Sequence, residues 1–237
     1  MDLAFLGETF VTLLGGVPLL LQLTFFSVSI GAVFAVALAL MRLSGNPLLD
    51  YPARGYVFVF RGTPLLVQIF LIYYGLGQFP EIRQSIAWPF LRQPYWCAIL
   101  ALTLNTAAYA TEIIRGGILS VPFGQIEAAR ACGMSRTMIF RRIILPQGLR
   151  TALPAYGNEI ILMTRATALA SVITLMEVTG IASKLVSETF RAIEVFACAG
   201  AIYLFINFLI SRAIAWAERR LSPQAAPQSA AAPEPAR

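Results

Sequence analysis

Polar side chains recur at helical spacing within an otherwise apolar stretch of this sequence. Asn105, Tyr109 and Glu112 stand at positions i, i+4 and i+7, which places them on one face of a helix. Amide, phenol and carboxylate groups on one face can bind a polar solute. A charged group at the centre of a membrane helix costs about 2.5–3.5 kcal/mol, so Glu112 needs a partner or a function. The alternative to ligand contact is an ion pair with Arg115 at i+3, or a bond at a subunit interface.

Glu159 occupies a second apolar segment, on the same helical face as Met163 and Ala166. It has no basic residue three or four positions away, so its partner must come from another helix or from a ligand. A buried ion pair with Arg61 or Arg165 is one alternative. The other is a cationic substrate, because a carboxylate attracts ammonium and can bind guanidinium in a bidentate geometry. The same carboxylate would repel an acidic substrate.

A helix-breaking sequence, Arg61-Gly62-Thr63-Pro64, interrupts another apolar stretch, and Gln68 follows it by one turn. Proline removes a backbone donor and glycine loosens the helix, so backbone groups become free at this point. One interpretation is that Thr63, Gln68 and the exposed backbone line a pathway for substrate. The other is a kink made for packing. We assign Arg61 a structural role.

Several kinds of chemistry lack the residues they need. The chain has no histidine and three widely separated cysteines, which favours neither a transition-metal site nor an acid–base enzyme. We therefore predict no catalytic residue, no metal ligand and no cofactor. The only lysine, Lys184, belongs to no phosphate-binding loop of the Gly-x-x-x-x-Gly-Lys-Ser/Thr type, so any ATP must be bound by a partner.

The composition is that of a membrane protein. Of 237 residues, 58% are hydrophobic and 13% are charged, with a mean hydropathy of +0.72; soluble domains carry about a quarter charged residues. Stretches long enough to span a bilayer predict five transmembrane helices, at about 16–41, 56–79, 95–118, 153–172 and 196–216. We expect an all-α membrane domain over 16–221. It follows an N-terminal segment, 1–15, in which residues 2–14 form an amphipathic helix at the outer surface. A disordered cytoplasmic tail covers 222–237.

The basic residues predict the orientation. With the N-terminus outside and the C-terminus inside, twelve of the 18 basic residues fall on the inner side. The outer side receives only Arg83, Arg92, Lys184 and Arg191. This distribution follows the positive-inside rule. Because topology accounts for the net charge of +6, nothing in it indicates a nucleic-acid partner.

The inner loop between the third and fourth spans has a definite local design. Glu127, Ala128 and Ala129 belong to a helix-forming stretch, and Gly133 can end that helix in the left-handed conformation. Ser135 can cap a second, basic amphipathic helix over 136–145. Pro146 then disrupts its continuation. Without further information this could be an interfacial hairpin or an ordinary basic loop.

The spacing within this loop resembles a known family. Glu127-Ala128-Ala129, then three residues, Gly133, nine residues, and Ile-x-Leu145-Pro146 is similar to the signature loop of ABC importer permeases. The resemblance implies the type I permease fold and a coupling helix docked on an ATPase. It implies two ATP-binding subunits, a second permease subunit (identical or related), a periplasmic substrate-binding protein and the lipid of a bacterial inner membrane, which the chain crosses several times.

Other segments resemble permeases for polar amino acids. They are the stretches around Arg61–Gln68 and Ala101–Glu112, and Leu153–Glu159, which is similar to permeases for histidine, lysine, arginine, ornithine and opines. Arg165-Ala166 departs from the family, since many members have a Lys-Asp pair there. The resemblance implies import of basic amino acids or opines, with Thr63, Gln68, Asn105, Tyr109, Glu112 and Glu159 as substrate contacts. The alternatives are import of neutral amino acids such as glutamine, and an ion-coupled secondary transporter that uses both glutamates.

Overall fold

The computed structural model describes residues 3–221, which form twelve α-helices with short π and 3-10 segments and no strand. The predicted all-helical class is thereby confirmed. Three runs are long and apolar enough to cross a membrane alone: Leu3–Leu43, Pro94–Leu119 and Ala192–Leu221. Two bent helix pairs bring the number to five if each pair is one span. The tail predicted to be disordered lies outside the described residues.

The first run contains α1 (Leu3–Leu14) and α2 (Val17–Leu43). The predicted N-terminal helix is present, and one side of it packs on the bundle; its place at the outer surface of the membrane stays a prediction. Phe5, Leu6 and Leu13 pack against helices from the end of the chain, because α1 is too apolar to leave its face in water.

The second predicted span is broken where the sequence indicated. α3 (Pro47–Gly62) meets the helical run Leu65–Gln78, which begins with α4 (Leu65–Phe70), at 105°. Thr63 and Pro64 are extended between them, since the residue before a proline is disfavoured in a helix. A π turn, Leu71–Gly75, and a 3-10 turn then complete this arm.

The third predicted span is confirmed and forms the centre of the bundle. It follows two short helices, α5 (Pro80–Arg83) and α6 (Trp88–Leu91), and runs as α7 (Pro94–Leu119). Most of α7 between Cys97 and Thr111 is buried. Its small residues allow neighbouring helices to come close.

The fourth predicted span begins earlier than expected. After α8 (Phe123–Ala131) and α9 (Arg136–Ile139), a π turn over Phe140–Ile144 leads directly into α10 (Leu145–Ala166). The prediction that Pro146 disrupts the second loop helix is therefore wrong. Proline is tolerated in the first turn of a helix. In addition, the π turn before Pro146 lacks the regular α-helical hydrogen bonds that a proline ring would disrupt.

The last third of the chain contains a helix that the sequence did not predict. α10 continues as a 3-10 segment, Thr167–Ile173, and then bends by 48° into α11 (Val178–Thr189). α12 (Ala192–Leu221) is the fifth predicted span. The fully buried Glu177 caps α11 by accepting a hydrogen bond from the Gly180 amide at 2.9 Å.

Close helix crossings fix how these elements stack. α2, α4, α7 and α10 share one core, which includes Leu23, Ile69, Leu102 and Met163. α1, α11 and α12 form a second core beside α2. The end of α2, the start of α3, the end of α7 and the start of α10 meet at one end of the bundle. That this end faces the cytoplasm stays a prediction from the distribution of arginines.

Candidate functional site

The side-chain amides of Gln68 and Asn105 form hydrogen bonds at the break between α3 and α4. The Gln68 amide nitrogen donates to the Phe60 carbonyl at 2.9 Å and to the Thr63 carbonyl at 3.1 Å. It also lies 2.9 Å from the Thr63 hydroxyl. Asn105 of α7 donates to the Gln68 side-chain oxygen at 3.1 Å. These bonds satisfy carbonyls that the helix break leaves without an intrahelical partner, as apolar surroundings require.

This amide cluster brings together three predicted substrate contacts, namely Thr63, Gln68 and Asn105. Both amides are buried, whereas Thr63 is exposed. Much of their hydrogen-bonding capacity is already used on the α3–α4 break. The geometry therefore gives Gln68 and Asn105 a role in shaping the break, and their contact with substrate stays a prediction.

Glu159 is a buried carboxylate on α10, with 5% of its surface exposed. Its Oε1 accepts a hydrogen bond from the Thr106 hydroxyl of α7 at 3.0 Å. Among residues 3–221, Thr106 is the one group that hydrogen bonds to this side chain, and neither Arg61 nor Arg165 forms an ion pair with it. The predicted alternative of a buried ion pair is thus absent from the described part of the chain.

Small residues bring the helices around Glu159 close together. A Cβ atom on Gly31 of α2 would collide with the Thr106 side chain. On α10, a Cβ on Gly157 would lie 2.5 Å from Ile214 of α12. These glycines therefore let α2 approach α7 and α12 approach α10, and Glu159 is held where α7 and α10 meet.

Glu112 lies in an ion-pair network at the end of the bundle. Its Oε2 accepts from Arg115 Nη2 at 2.8 Å, and its Oε1 pairs with Arg42 of α2. Arg42 also binds Asp50 of α3 at 3.0 Å, and Asp50 binds Arg54 at 2.7 Å. The predicted i+3 pair with Arg115 is present, together with one inter-helix partner, Arg42. A direct contact between Glu112 and substrate stays a prediction.

Arg61 is within electrostatic range of two carboxylates, Glu112 and Glu159. Its guanidinium stacks over the Tyr109 ring at 5.0 Å from the centroid. A cavity of about 500 Å³ opens beside it. The polar residues that line this cavity are Arg42, Arg54, Arg61, Tyr109 and Glu112.

The sequence missed Thr106, Arg42 and Asp50 as members of the site. Thr106 directly follows Asn105, which belongs to the polar stripe, and this position could have indicated that Thr106 lies at the site. Arg42 and Asp50 gave none, because they meet only when α2 and α3 fold against each other.

The loop with the signature spacing forms a helix, a turn and a second helix. Gly133 is left-handed with φ +75°, and Ser135 accepts a hydrogen bond from the Met138 amide at 3.3 Å. Both local predictions are confirmed. Gln125 of α8 accepts from Gln147 of α10 at 2.6 Å, which ties the loop to the fourth span. Docking of Glu127, Ala128, Ala129, Gly133, Leu145 and Pro146 on an ATPase stays a prediction.

Comparison with known proteins adds an independent finding. The chain is 63% identical over 223 residues to the octopine transport system permease protein OccM of Rhizobium meliloti, covering 94% of this chain and 91% of that protein. It is 43% identical over 206 residues to the histidine/lysine/arginine/ornithine transport system permease protein HisM of Salmonella typhimurium, covering 86% and 88%.

A solved structure agrees with the fold. The crystal structure of an amino acid ABC transporter with histidines contains a chain that matches with a TM-score of 0.83 and 37% identity, covering 93% of this chain and 99% of that one. Residues 27–223 also match the family described as binding-protein-dependent transport system inner membrane component. The chain belongs to that family: it is an inner-membrane permease subunit of an ABC importer and not an enzyme, and partner ATPases hydrolyse the ATP.

Proposed function

We propose that this permease carries opines and basic amino acids and that Glu159 binds their cationic group. The observation that carries the proposal is the buried Glu159 carboxylate, whose one hydrogen-bond partner in the described chain, Thr106, is neutral. Ionisable groups within the membrane are expensive and commonly mark a substrate pathway. A guanidinium or ammonium group would supply the missing charge.

The similarity to an octopine permease and to a histidine/lysine/arginine/ornithine permease supports this substrate class. Substrates of such systems combine a cationic group with at least one carboxylate. The substrate would pass the α3–α4 break, where Thr63 and the backbone at Gly62 are exposed. Gln68 and Asn105 would keep the break open, and Tyr109 and Glu112 would line the route toward the end of the bundle.

The same proposal assigns the partners. Two permease subunits, identical or related, would pack over two ATP-binding subunits, and a periplasmic binding protein would deliver substrate to the outer face. The loop that contains Glu127 and Gly133 would dock on the ATPase. Its link to α10 through Gln125 and Gln147 supports transmission of movement to the helix that carries Glu159. A docked loop can drive transport only if the ATPase binds the two conformations of the permease differently.

Uptake by the reconstituted importer tests the substrate class. The complex, assembled in proteoliposomes with its ATPase and binding protein, should take up labelled octopine and arginine when ATP is present. Glutamine should enter more slowly and glutamate not at all. An ATPase variant without its phosphate-binding lysine controls for leakage. Faster uptake of glutamine or glutamate than of arginine and octopine would contradict the proposed substrate class.

A further inference from the structure

Arg61 differs from the other arginines beside the cavity because it forms no ion pair in the described part of the chain. Arg42 is bound to Asp50 and Glu112, and Arg54 is bound to Asp50. The guanidinium of Arg61 contacts the face of Tyr109 instead. A cation–π contact with tyrosine attracts the guanidinium but does not neutralise its charge, whereas a carboxylate would do both. Glu112 and Glu159 act on Arg61 electrostatically without forming an ion pair with it, so an anion in direct contact is the partner that this guanidinium lacks in the described part of the chain.

The position of Arg61 places that missing anion near Glu159. Arg61 is the second-last residue of α3, directly before the break at Thr63. Its aromatic partner Tyr109 stands one turn of α7 from Thr106, which binds Glu159. Three residues of helix correspond to about 4.5 Å of rise. The Arg61 guanidinium and the Glu159 carboxylate thus contact side chains one turn apart on α7, and they interact electrostatically.

We infer that Arg61 binds the carboxylate of the substrate while Glu159 binds its cationic group. This inference rests on the proposed function. Every amino acid, and every opine built from one, carries a carboxylate, and a site of acidic groups alone would repel it. Guanidinium is planar and binds carboxylate through two parallel hydrogen bonds. The exposed cavity beside Arg61 gives a substrate room to reach it.

The inferred binding role of Arg61 replaces the structural role that the sequence analysis assigned to it. Of the four arginines near the end of the bundle, Arg42, Arg54 and Arg115 each have a carboxylate partner, and Arg61 has none among the described residues. Arg61 is instead a specificity-determining residue: it selects substrates that carry a carboxylate over simple amines and guanidines of the same length.

Ligand-observed NMR on the permease–ATPase complex in nanodiscs, without binding protein, tests this inference. The ligands are arginine, octopine and agmatine, and agmatine keeps the guanidinium of arginine but lacks its carboxylate. Wild type should bind arginine at least tenfold more tightly than agmatine. Arg61→Gln should weaken arginine binding about tenfold and leave agmatine unchanged, since one charge-assisted bond is worth roughly a factor of ten or more.

Two further variants keep the result interpretable. Arg61→Lys retains the charge without the planar fork and should give an intermediate preference, which serves if the glutamine variant does not assemble. Arg83→Gln removes an exposed arginine of α5 that does not line the cavity, and it should behave as wild type.

The outcomes separate the two proposals. If neither arginine nor octopine binds wild type, the proposed substrate class is contradicted. If arginine binds wild type and the preference over agmatine is unchanged in both Arg61 variants, the inference about Arg61 is wrong and the substrate class stands. Equal weakening of arginine and agmatine by Arg61→Gln would likewise overturn it, because Arg61 would then only support the fold.

Discussion

Replacing Glu159 by glutamine removes a charge and almost nothing else. The two side chains have the same shape, and the amide oxygen of glutamine can accept the hydrogen bond that Thr106 donates at 3.0 Å. Because the carboxylate has no ion-pair partner among the described residues, no buried arginine is left unpaired by the change. We therefore expect Glu159→Gln to assemble with its partners at the wild-type level.

The magnitude follows from the lost attraction to a cationic substrate. Two unit charges about 4 Å apart attract by roughly 4 kcal/mol at an effective dielectric constant of about 20. Desolvation of both groups removes part of this, and hydrogen bonds to charged groups contribute about 1.5–3 kcal/mol net. At about 1.4 kcal/mol for each factor of ten, transport efficiency for arginine should fall roughly 10- to 100-fold.

The assay is ATP-dependent uptake of labelled arginine in proteoliposomes at several substrate concentrations. Glu159→Asp is the matched control, because it keeps the charge and only shortens the side chain, so its loss should be much smaller. Uptake of glutamine, if measurable, should be unaffected by Glu159→Gln. Equal arginine transport by wild type and Glu159→Gln would refute the assignment of Glu159 to the substrate cation.

Three further changes test the coupling loop and the packing. Gly133→Asp should leave membrane insertion intact and abolish coupling of ATP hydrolysis to transport. Gly45→Asp is its control, because it places aspartate at another left-handed position, φ +70°, and the importer that contains it should transport normally. Gly117→Ala should lower the free energy of unfolding by about 1–3 kcal/mol, because the added Cβ would collide with α10. Gly116→Ala is its control in the same thermal-unfolding assay and should be neutral or stabilising, because no atom lies within 4 Å of the added Cβ. Tyr203→Phe removes the hydroxyl that donates a 2.7 Å hydrogen bond to Glu177, the buried carboxylate that caps α11. It should lower the free energy of unfolding by about 1–3 kcal/mol, and with it the melting temperature. An unchanged melting temperature would contradict this role of the hydroxyl.

Local signals predicted much of the fold. Long apolar stretches predicted where the chain crosses the membrane, and proline after Gly62-Thr63 predicted the break in the second span. Gly133 and Ser135 predicted the turn and cap of the signature loop, since both act through their own backbone neighbourhood. The prediction from Pro146 was wrong because the effect of a proline depends on the backbone around it. The π turn before Pro146 accommodates its ring, and no sequence rule predicted that turn.

Only some members of the candidate site were predictable from the sequence, and their partners on other helices were not. The stripe on α7 and the isolated Glu159 were visible from spacing, because helical periodicity is a property of one segment. The Arg42–Asp50–Glu112 network joins three helices, so its pairs exist only after those helices pack. The hydrogen bonds of Gln68 and Asn105 at the α3–α4 break likewise form only in the folded bundle.

Resemblance to ABC importer permeases indicated the class of transporter. The sequence by itself determined the membrane location and the positions of the charged groups along each helix. These follow from hydrophobicity and from short-range spacing, which need no contact between distant segments. The tertiary structure decided which charges are neutralised. It paired Glu112 with two arginines, left Glu159 with a neutral hydroxyl, and left Arg61 over an aromatic ring. Electrostatic attraction depends on distances between helices, and only the packed bundle sets those distances.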